Sequence, residues 1–355
     1  MEINAMKKSL LALAALGMFA GAASAQSTVT LFGIVDAGIA RLSAKTTTGS
    51  KSVTGMTNSG LNSSRLGFRG VEDLGGGMKA GFHIEGQLTN DDGNAAGQTW
   101  QRRSTVSLMG GFGEVRLGRD YTPNFWNTTI YDPFGTNGVG QSLTVAMIGA
   151  ATATQNSAAA VRSNNSVSYF LPGNLGGFHG QVMVAFGENV SGGAKTNNYL
   201  GFRFGYAAGP LSLAGAYAKT EGATDAADTK YMNFGASYNM GFMSILGFVG
   251  NEKTGGGAKV QAMQIGVTVP LGQGELRAAY GDYDVSNSSN DWNKLALGYG
   301  YNLSKRTQMY TTFARVSNKG AQTKIVANNG LGFSGVTIAG GKAHSGFEFG
   351  VRHSF

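Results

Sequence analysis

The sequence predicts an all-β protein, a sixteen-stranded antiparallel transmembrane β-barrel with one long loop folded into its lumen. Three observations carry that expectation. Stretches of about ten residues alternate apolar and polar through most of the chain, which is the period of a strand with one greasy and one wet face. Glycine reaches 57 of 355 residues while cysteine is absent and proline falls to 5, against a usual glycine share of about 7%. The alternation then stops for the whole of Arg119–Arg162 and resumes at Asn164-Asn165-Ser166-Val167-Ser168-Tyr169. That interruption is not composed like a linker. It holds Tyr121, Phe125, Trp126, Tyr131 and Phe134, a turn at Asp132-Pro133-Phe134-Gly135, and a small-residue apolar run from Leu143 to Ala153. A segment that can pack has one sheltered place beside an alternating barrel wall, the lumen.

The first residues precede the fold. Lys7-Lys8, an apolar core from Leu10 to Ala22 and Ala23-Ser24-Ala25 read as a cleaved secretory signal peptide, residues 1–25, too short to anchor in a membrane. Residues 26–355 are then the barrel, with 119–163 as its constriction loop. No later stretch reaches the ~18 apolar residues of a membrane helix. An exported chain with low charge and scarce proline fits spanning strands. The absence of cysteine excludes thiol-based metal or redox sites. The net charge of +8 is dispersed rather than clustered, which argues against nucleic acid as a partner and for a basic channel.

The strands follow in order. Strand one, Ser27–Ala40, sets Val29, Leu31, Val35 and Ala37 against Thr28, Thr30 and Asp36. A polar loop, Arg41–Asn62, leads to strand two, Ser64–Val71, with Leu66 and Phe68 opposite Arg65 and Arg69. After the turn Gly75-Gly76-Gly77, strand three, Met78–Leu88, sets Met78, Ala80, Phe82 and Ile84 against Lys79, His83, Glu85 and Gln87. Strand four is Trp100–Met109, with Arg103, Thr105 and Ser107 on its polar face, and strand five is Glu114–Gly118. Beyond the long loop come Ser166–Leu171, His179–Gly187, Asn198–Ala207, Leu211–Lys219, Tyr231–Asn239, Met243–Asn251, Val260–Val269, Glu275–Asp284, Trp292–Tyr301, Thr307–Val316 and Ser345–Phe355. Connections alternate between tight (Gly209-Pro210, Gly241-Phe242, Gly272-Gln273-Gly274) and roomy (Glu188–Asn197, Thr220–Lys230, Ser317–His344). Short turns on one rim and long loops on the other belong to outer-membrane barrels, and so do aromatic girdles, here Tyr169, Tyr238, Trp292, Tyr299, Tyr301 and Phe355. A soluble β-sandwich would need neither so many strands of near-equal length nor such girdles.

Two other functions compete with a pore. A plugged barrel acting as an adhesin would use its long loops, such as Ser317–His344. An outer-membrane hydrolase would need a nucleophile, a base and an orienting group within reach. His83 and Glu85 share the polar face of one strand, but no serine motif accompanies them. His179 opens a strand, His344 falls in a loop and His353 faces lipid near the rim. No metal-ligand spacing occurs, the glycine runs precede no helix, and no cofactor is called for.

Gln26-Ser27-Thr28-Val29-Thr30-Leu31-Phe32-Gly33-Ile34-Val35-Asp36-Ala37-Gly38, then Ser64-Arg65-Leu66-Gly67-Phe68-Arg69-Gly70-Val71-Glu72-Asp73-Leu74-Gly75-Gly76-Gly77, and the ending Arg352-His353-Ser354-Phe355 together resemble a Gram-negative trimeric general-diffusion porin of the beta-proteobacterial type. The resemblance covers the mature chain. It implies a homotrimer in the cell outer membrane, surrounded by outer-membrane lipid, whose third external loop constricts the lumen. It implies passive passage of small hydrophilic solutes and inorganic anions without catalysis. It also implies a basic wall facing the loop, carried by motif position to Arg65 and Arg103, with Arg162 as the third member. Lys79, Arg203, Arg277 and Lys294 share the polar parity and extend that surface. Asp120 and Asp132 are the loop's acids, too few to balance the arginines, so weak anion selectivity is expected. The alternation Phe347, Phe349, Val351, His353, Phe355 ends on a terminal aromatic that resembles the signal read by the outer-membrane assembly machinery.

Overall fold

The computed structural model describes residues 28–93, 99–144, 147, 160–190, 193, 195–326 and 331–355. The expected signal peptide, part of Thr89–Thr99 and most of Leu143–Ala153 lie outside the described residues. Seventeen strands form one sheet: β1 Thr28–Thr46, β2 Gly49–Asn58, β3 Arg65–Gly75, β4 Met78–Gln87, β5 Arg103–Gly110, β6 Gly113–Tyr121, β7 Arg162–Phe170, β8 Phe178–Ala185, β9 Tyr199–Ala208, β10 Leu211–Thr220, β11 Thr229–Asn239, β12 Ser244–Thr254, β13 Lys259–Leu271, β14 Gly274–Val285, β15 Trp292–Asn302, β16 Thr307–Asn318 and β17 Ala343–Ser354. Among the described residues an α-helix, α1, spans Pro123–Ile130, and a short 3-10 helix spans Asp225–Ala227.

Every strand pairs antiparallel, and the sheet closes where β1 meets β17, from Ile34 opposite Ser354 to Ser43 opposite Ser345. Closure leaves no free edge, the condition for a sheet to cross a bilayer with its backbone satisfied. β2 and β3 share one place in the ring: β2 pairs with the upper half of β1, Ala37–Thr46, and β3 with its lower half, Thr28–Ile34. The ring therefore has sixteen positions.

The extra strand corrects the expected polar loop Arg41–Asn62. Alternation continues past Ala40, with Leu42 and Ala44 buried inward and Arg41 and Lys45 exposed outward. Above the hydrocarbon the usual polarity inverts, because packed loops lie inside the barrel and water lies outside it. A scan for greasy-out strands ends where that inversion begins.

Along the wall the outward face is apolar and exposed, as with Val29, Ile39, Phe82, Met263 and Phe347. Lipid covers such a face in a membrane barrel. The tight turns use left-handed glycines, with Gly75, Gly76 and Gly77 at φ +78°, +60° and +79°. Trp292 departs from its expected girdle place. It points inward, 1% exposed, and stacks on Tyr283 with ring centroids 4.9 Å apart. His344 departs too, sitting buried within β17 rather than in a loop.

The break between β2 and β3 is held by two buried acids. Asp36 accepts bonds from the backbone N–H groups of Leu61 (2.8 Å) and Asn62 (2.6 Å) and from the Tyr310 hydroxyl (2.7 Å). Glu348 accepts from the Thr57 hydroxyl (2.8 Å) and from the backbone N–H of Val139 in the long loop (3.2 Å). Asp36→Ala strands three buried donors. At roughly 1–3 kcal/mol each, the barrel should lose on the order of 3 kcal/mol or more, read as a lower temperature at which the folded band vanishes on an unboiled gel.

Candidate functional site

The long loop starts as α1 because Pro123 stands at the first helical position with φ already suited to a helix. Its buried face is polar: Asn124, Asn127 and Thr128 accompany Pro123. Such a face fits the hydrophilic inner wall rather than an apolar core. Asn127 donates to the Ala214 carbonyl (2.9 Å) and to the Asn233 side chain (2.8 Å), and it accepts from Arg203 (2.9 Å). Tyr199 donates to Asn124 (2.7 Å). Beyond the helix the loop keeps to the inner face. The backbone N–H of Leu143 donates to the Tyr283 hydroxyl (2.9 Å), Lys294 donates to the Gln141 carbonyl, and Val139 reaches Glu348 on β17. The described part of the loop is thus tied to inward residues of β9, β10, β11, β14, β15 and β17.

Between this loop and the opposite wall lies a cavity of about 470 Å³. Arg65, Arg102 and Arg162 line it from the wall, and Phe125 and Trp126 line it from α1. The residues lining it include no carboxylate. Tyr121 is the hub. Its hydroxyl accepts from Arg102 (2.8 Å) and Arg162 (2.7 Å), the Arg162 guanidinium lies 4.2 Å from its ring centroid, and its ring stacks on Phe125 at 4.9 Å. An arginine held over an aromatic face keeps its charge and loses its freedom. Below them Glu85 gathers Arg102 (2.6 Å), His83 (3.3 Å) and Arg65 (3.9 Å). His83 and Glu85 do meet, but Glu85 is committed to two guanidinium groups, the geometry of an anchor for basic side chains.

The other expected residues do not line this cavity. Arg103 sits in an adjacent recess of about 370 Å³ with Arg69, His83 and Arg116. It is paired to Asp120 at 3.3 Å. Asp120 is not in the loop but in β6, and it also binds Arg116 at 2.6 Å. Asp132 is in the loop, yet its oxygens accept backbone N–H groups of Phe134 (3.0 Å), Thr136 (2.8 Å) and Ser142 (2.8 Å). It is a turn-former in the manner of an Asx turn and does not line the cavity. Arg277 is paired to Glu275 at 2.7 Å, and Lys79 is exposed on β4 opposite Asp73. Lys324, from the segment between β16 and β17, sits 4.7 Å from the Trp292 ring and donates to the Met147 carbonyl (3.1 Å). Burial lowers its pKa.

Arg102 is the cavity residue that alternation passes over. Counting from Trp100 gives Arg103 the inward parity and Arg102 the outward one. The strand begins at Arg103, so Arg102 lies in irregular backbone where parity has no meaning. The Arg102-Arg103 doublet beside a strand start was the available signal.

A family model described as Gram-negative porin matches residues 12–321. The chain is 41% identical to outer membrane porin protein 32 of Delftia acidovorans, over 99% of this chain and all of that one. It is 30% identical to an outer membrane porin protein of Bordetella pertussis, over 86% of this chain and 93% of that one. Among solved structures it is similar to the anion-selective porin from Comamonas acidovorans, with a TM-score of 0.81 and 38% identity, covering 93% of this chain and 100% of the other.

Proposed function

The chain belongs to the Gram-negative porin family, and on that premise we propose that it is a general-diffusion pore of the outer membrane with a preference for anions, acting as a homotrimer. Small hydrophilic solutes and inorganic anions pass between the loop that joins β6 to β7 and the arginine wall opposite. The observation that carries the anion preference is the cavity lined by Arg65, Arg102 and Arg162 and by no carboxylate. Rings of positive side chains select anions, and low-dielectric walls focus their field. The name of the similar Comamonas porin, anion-selective, supports the same reading.

The remaining parts follow from the family. Residues 1–25 direct export and are removed. The outward apolar faces of β1 and β17 meet neighbouring copies, and residues 89–99 latch onto one of them. Phe355 marks the chain for the assembly machinery. Its backbone exchanges two hydrogen bonds of 3.1 Å with Gly33, so the same residue helps to close the ring.

The test is the reversal potential of the purified protein in a planar bilayer under a salt gradient. Stepwise conductance with a potential favouring chloride is expected. A cation-favouring potential would overturn the charge assignment, and no conductance from folded protein would overturn the pore.

A further inference from the structure

The outer wall carries a basic row that transport does not use. Lys219 stands opposite Lys230, Lys230 opposite Lys253, and Lys253 opposite Lys259, across β10, β11, β12 and β13. All four share the parity of the outward residues Tyr217, Met232, Val249 and Met263, so they face away from the lumen. They sit at the strand ends nearest the long loops. Strands lie ~4.8 Å apart, so the row is about 14 Å wide.

Like charges placed directly opposite each other destabilise a sheet. Lys219 is relieved by Asp228 (2.7 Å) and Glu221 (3.5 Å). Among the described residues, no ion pair is found for Lys230, Lys253 or Lys259. The row stops at β13, because the outward positions of β14 carry Asp282 and Asp284, level with Met263 and Gln261.

Directly below the row the same face opens into an apolar groove of about 970 Å³. Phe204, Tyr217, Met232, Phe234 and Met263 flank it, Gly215 lies on its floor, and Asp282 and Asp284 border it on the β14 side, away from Lys230 and Lys253. Nothing comes nearer than 3.8 Å to the place of a Gly215 side chain, so the floor is open. The row begins two residues above the groove, about 7 Å along the strands. Cations over an apolar trough describe one ligand chemistry: acyl chains below and an anionic headgroup above.

We propose that the outward face of β10–β13 is a binding site for a phosphate-bearing lipid of the outer leaflet. Its acyl chains fill the groove and its phosphates bridge Lys230, Lys253 and Lys259. The headgroup then relieves the repulsion along the row, and the lipid staples four strands from outside. This goes beyond transport, and its failure would leave the pore reading untouched.

The test titrates the intact protein in detergent with bisphosphorylated lipid A, and separately with its dephosphorylated form, by native mass spectrometry. The variants are K230Q/K253Q/K259Q, its all-arginine counterpart, and Gly215→Trp, each first shown to keep the parent's conductance. A lysine near a phosphate surface contributes roughly fivefold in affinity, so the triple glutamine variant should bind on the order of 100-fold more weakly. Arginine should restore binding. Gly215→Trp, which fills the groove and keeps the row, should also weaken it and serves if the triple variant does not fold. Equal binding of the dephosphorylated lipid, or an unchanged triple variant, would overturn the proposal. So would competition by equimolar inorganic phosphate, which would assign the row to free anions. Met232→Cys in this cysteine-free chain tests the other occupant. A disulfide between copies would mean that a second barrel covers the face.

Discussion

Replacing Arg65, Arg102 and Arg162 together with glutamine is expected to abolish the anion preference while leaving the pore open. The three guanidinium groups line a cavity with no carboxylate among its lining residues. Behind them Glu85 pairs with Arg102 at 2.6 Å and Arg65 at 3.9 Å, so one carboxylate stands against three cations and the field on a passing ion stays positive. Each contributes about 1 kcal/mol at 4 Å even at the dielectric of water, and more between low-dielectric walls. Since 1.4 kcal/mol is a factor of ten, the anion-to-cation permeability ratio should fall roughly tenfold or more. Arg103→Gln should move it far less, because Asp120 already balances Arg103 at 3.3 Å. Salt provides an internal check. The screening length shrinks from about 10 Å at 0.1 M to 3 Å at 1 M, so the preference of the unaltered protein should fade at high salt while its conductance rises. A ratio that Arg103→Gln shifts as strongly as the triple variant would move selectivity to the recess beside the cavity.

The contrast between Arg102 and Arg103 marks the limit of what the chain says before it is folded. Period-two alternation depends only on the pleat, so it exposes the regular wall: Phe82 out and His83 in, Phe347 out and Glu348 in. It also finds the loop, because a loop is where alternation fails. It cannot place residues whose backbone is irregular. Arg102 is one such residue, sitting one position before its strand and aimed by its bonds to Glu85 and Tyr121. Nor does it show what a buried charge touches. Asp132 reads as a loop acid facing the pore, but two backbone N–H groups of its own turn and a third from Ser142 claim it. Trp292 reads as a girdle aromatic because girdles are common. Yet it shares the parity of Lys294, so the alternation itself points it inward, where it stacks on Tyr283 of the neighbouring strand.

The position of the loop tip rests on a contact that only glycine permits, and this yields the second large effect. Gly138 has φ +60°, and a Cβ built there would lie 2.0 Å from the Gly60 carbonyl oxygen and 2.7 Å from a Glu348 carboxylate oxygen. Gly60 is equally confined, since its own Cβ would meet the Tyr310 hydroxyl at 2.3 Å and Glu348 at 2.5 Å. Two backbones, one from the loop and one from the break between β2 and β3, therefore touch above a carboxylate that accepts from Val139. Gly138→Ala adds about 1–2 kcal/mol for the left-handed conformation and about 1–3 kcal/mol for overpacking. The barrel wall has its own continuous ladders and should tolerate this. The loop is held here by single contacts, Ser63 to Asn137, Val139 to Glu348 and Lys294 to Gln141, rather than by a ladder, and should give way first. Gly138→Ala is thus expected to fold, to keep most of its thermal resistance, and to release the tip from β17. Single-channel records should show a larger and noisier conductance, with weaker anion preference as the arginine wall loses the surface facing it. Thr57→Val, which removes one bond to the same Glu348 oxygen pair without crowding the tip, should leave conductance close to the parent's. If Gly138→Ala conducts as quietly as the parent, the tip is held by the α1 end of the loop, through Asn127 and its partners on β10 and β11, and the glycine contact only follows from that anchoring.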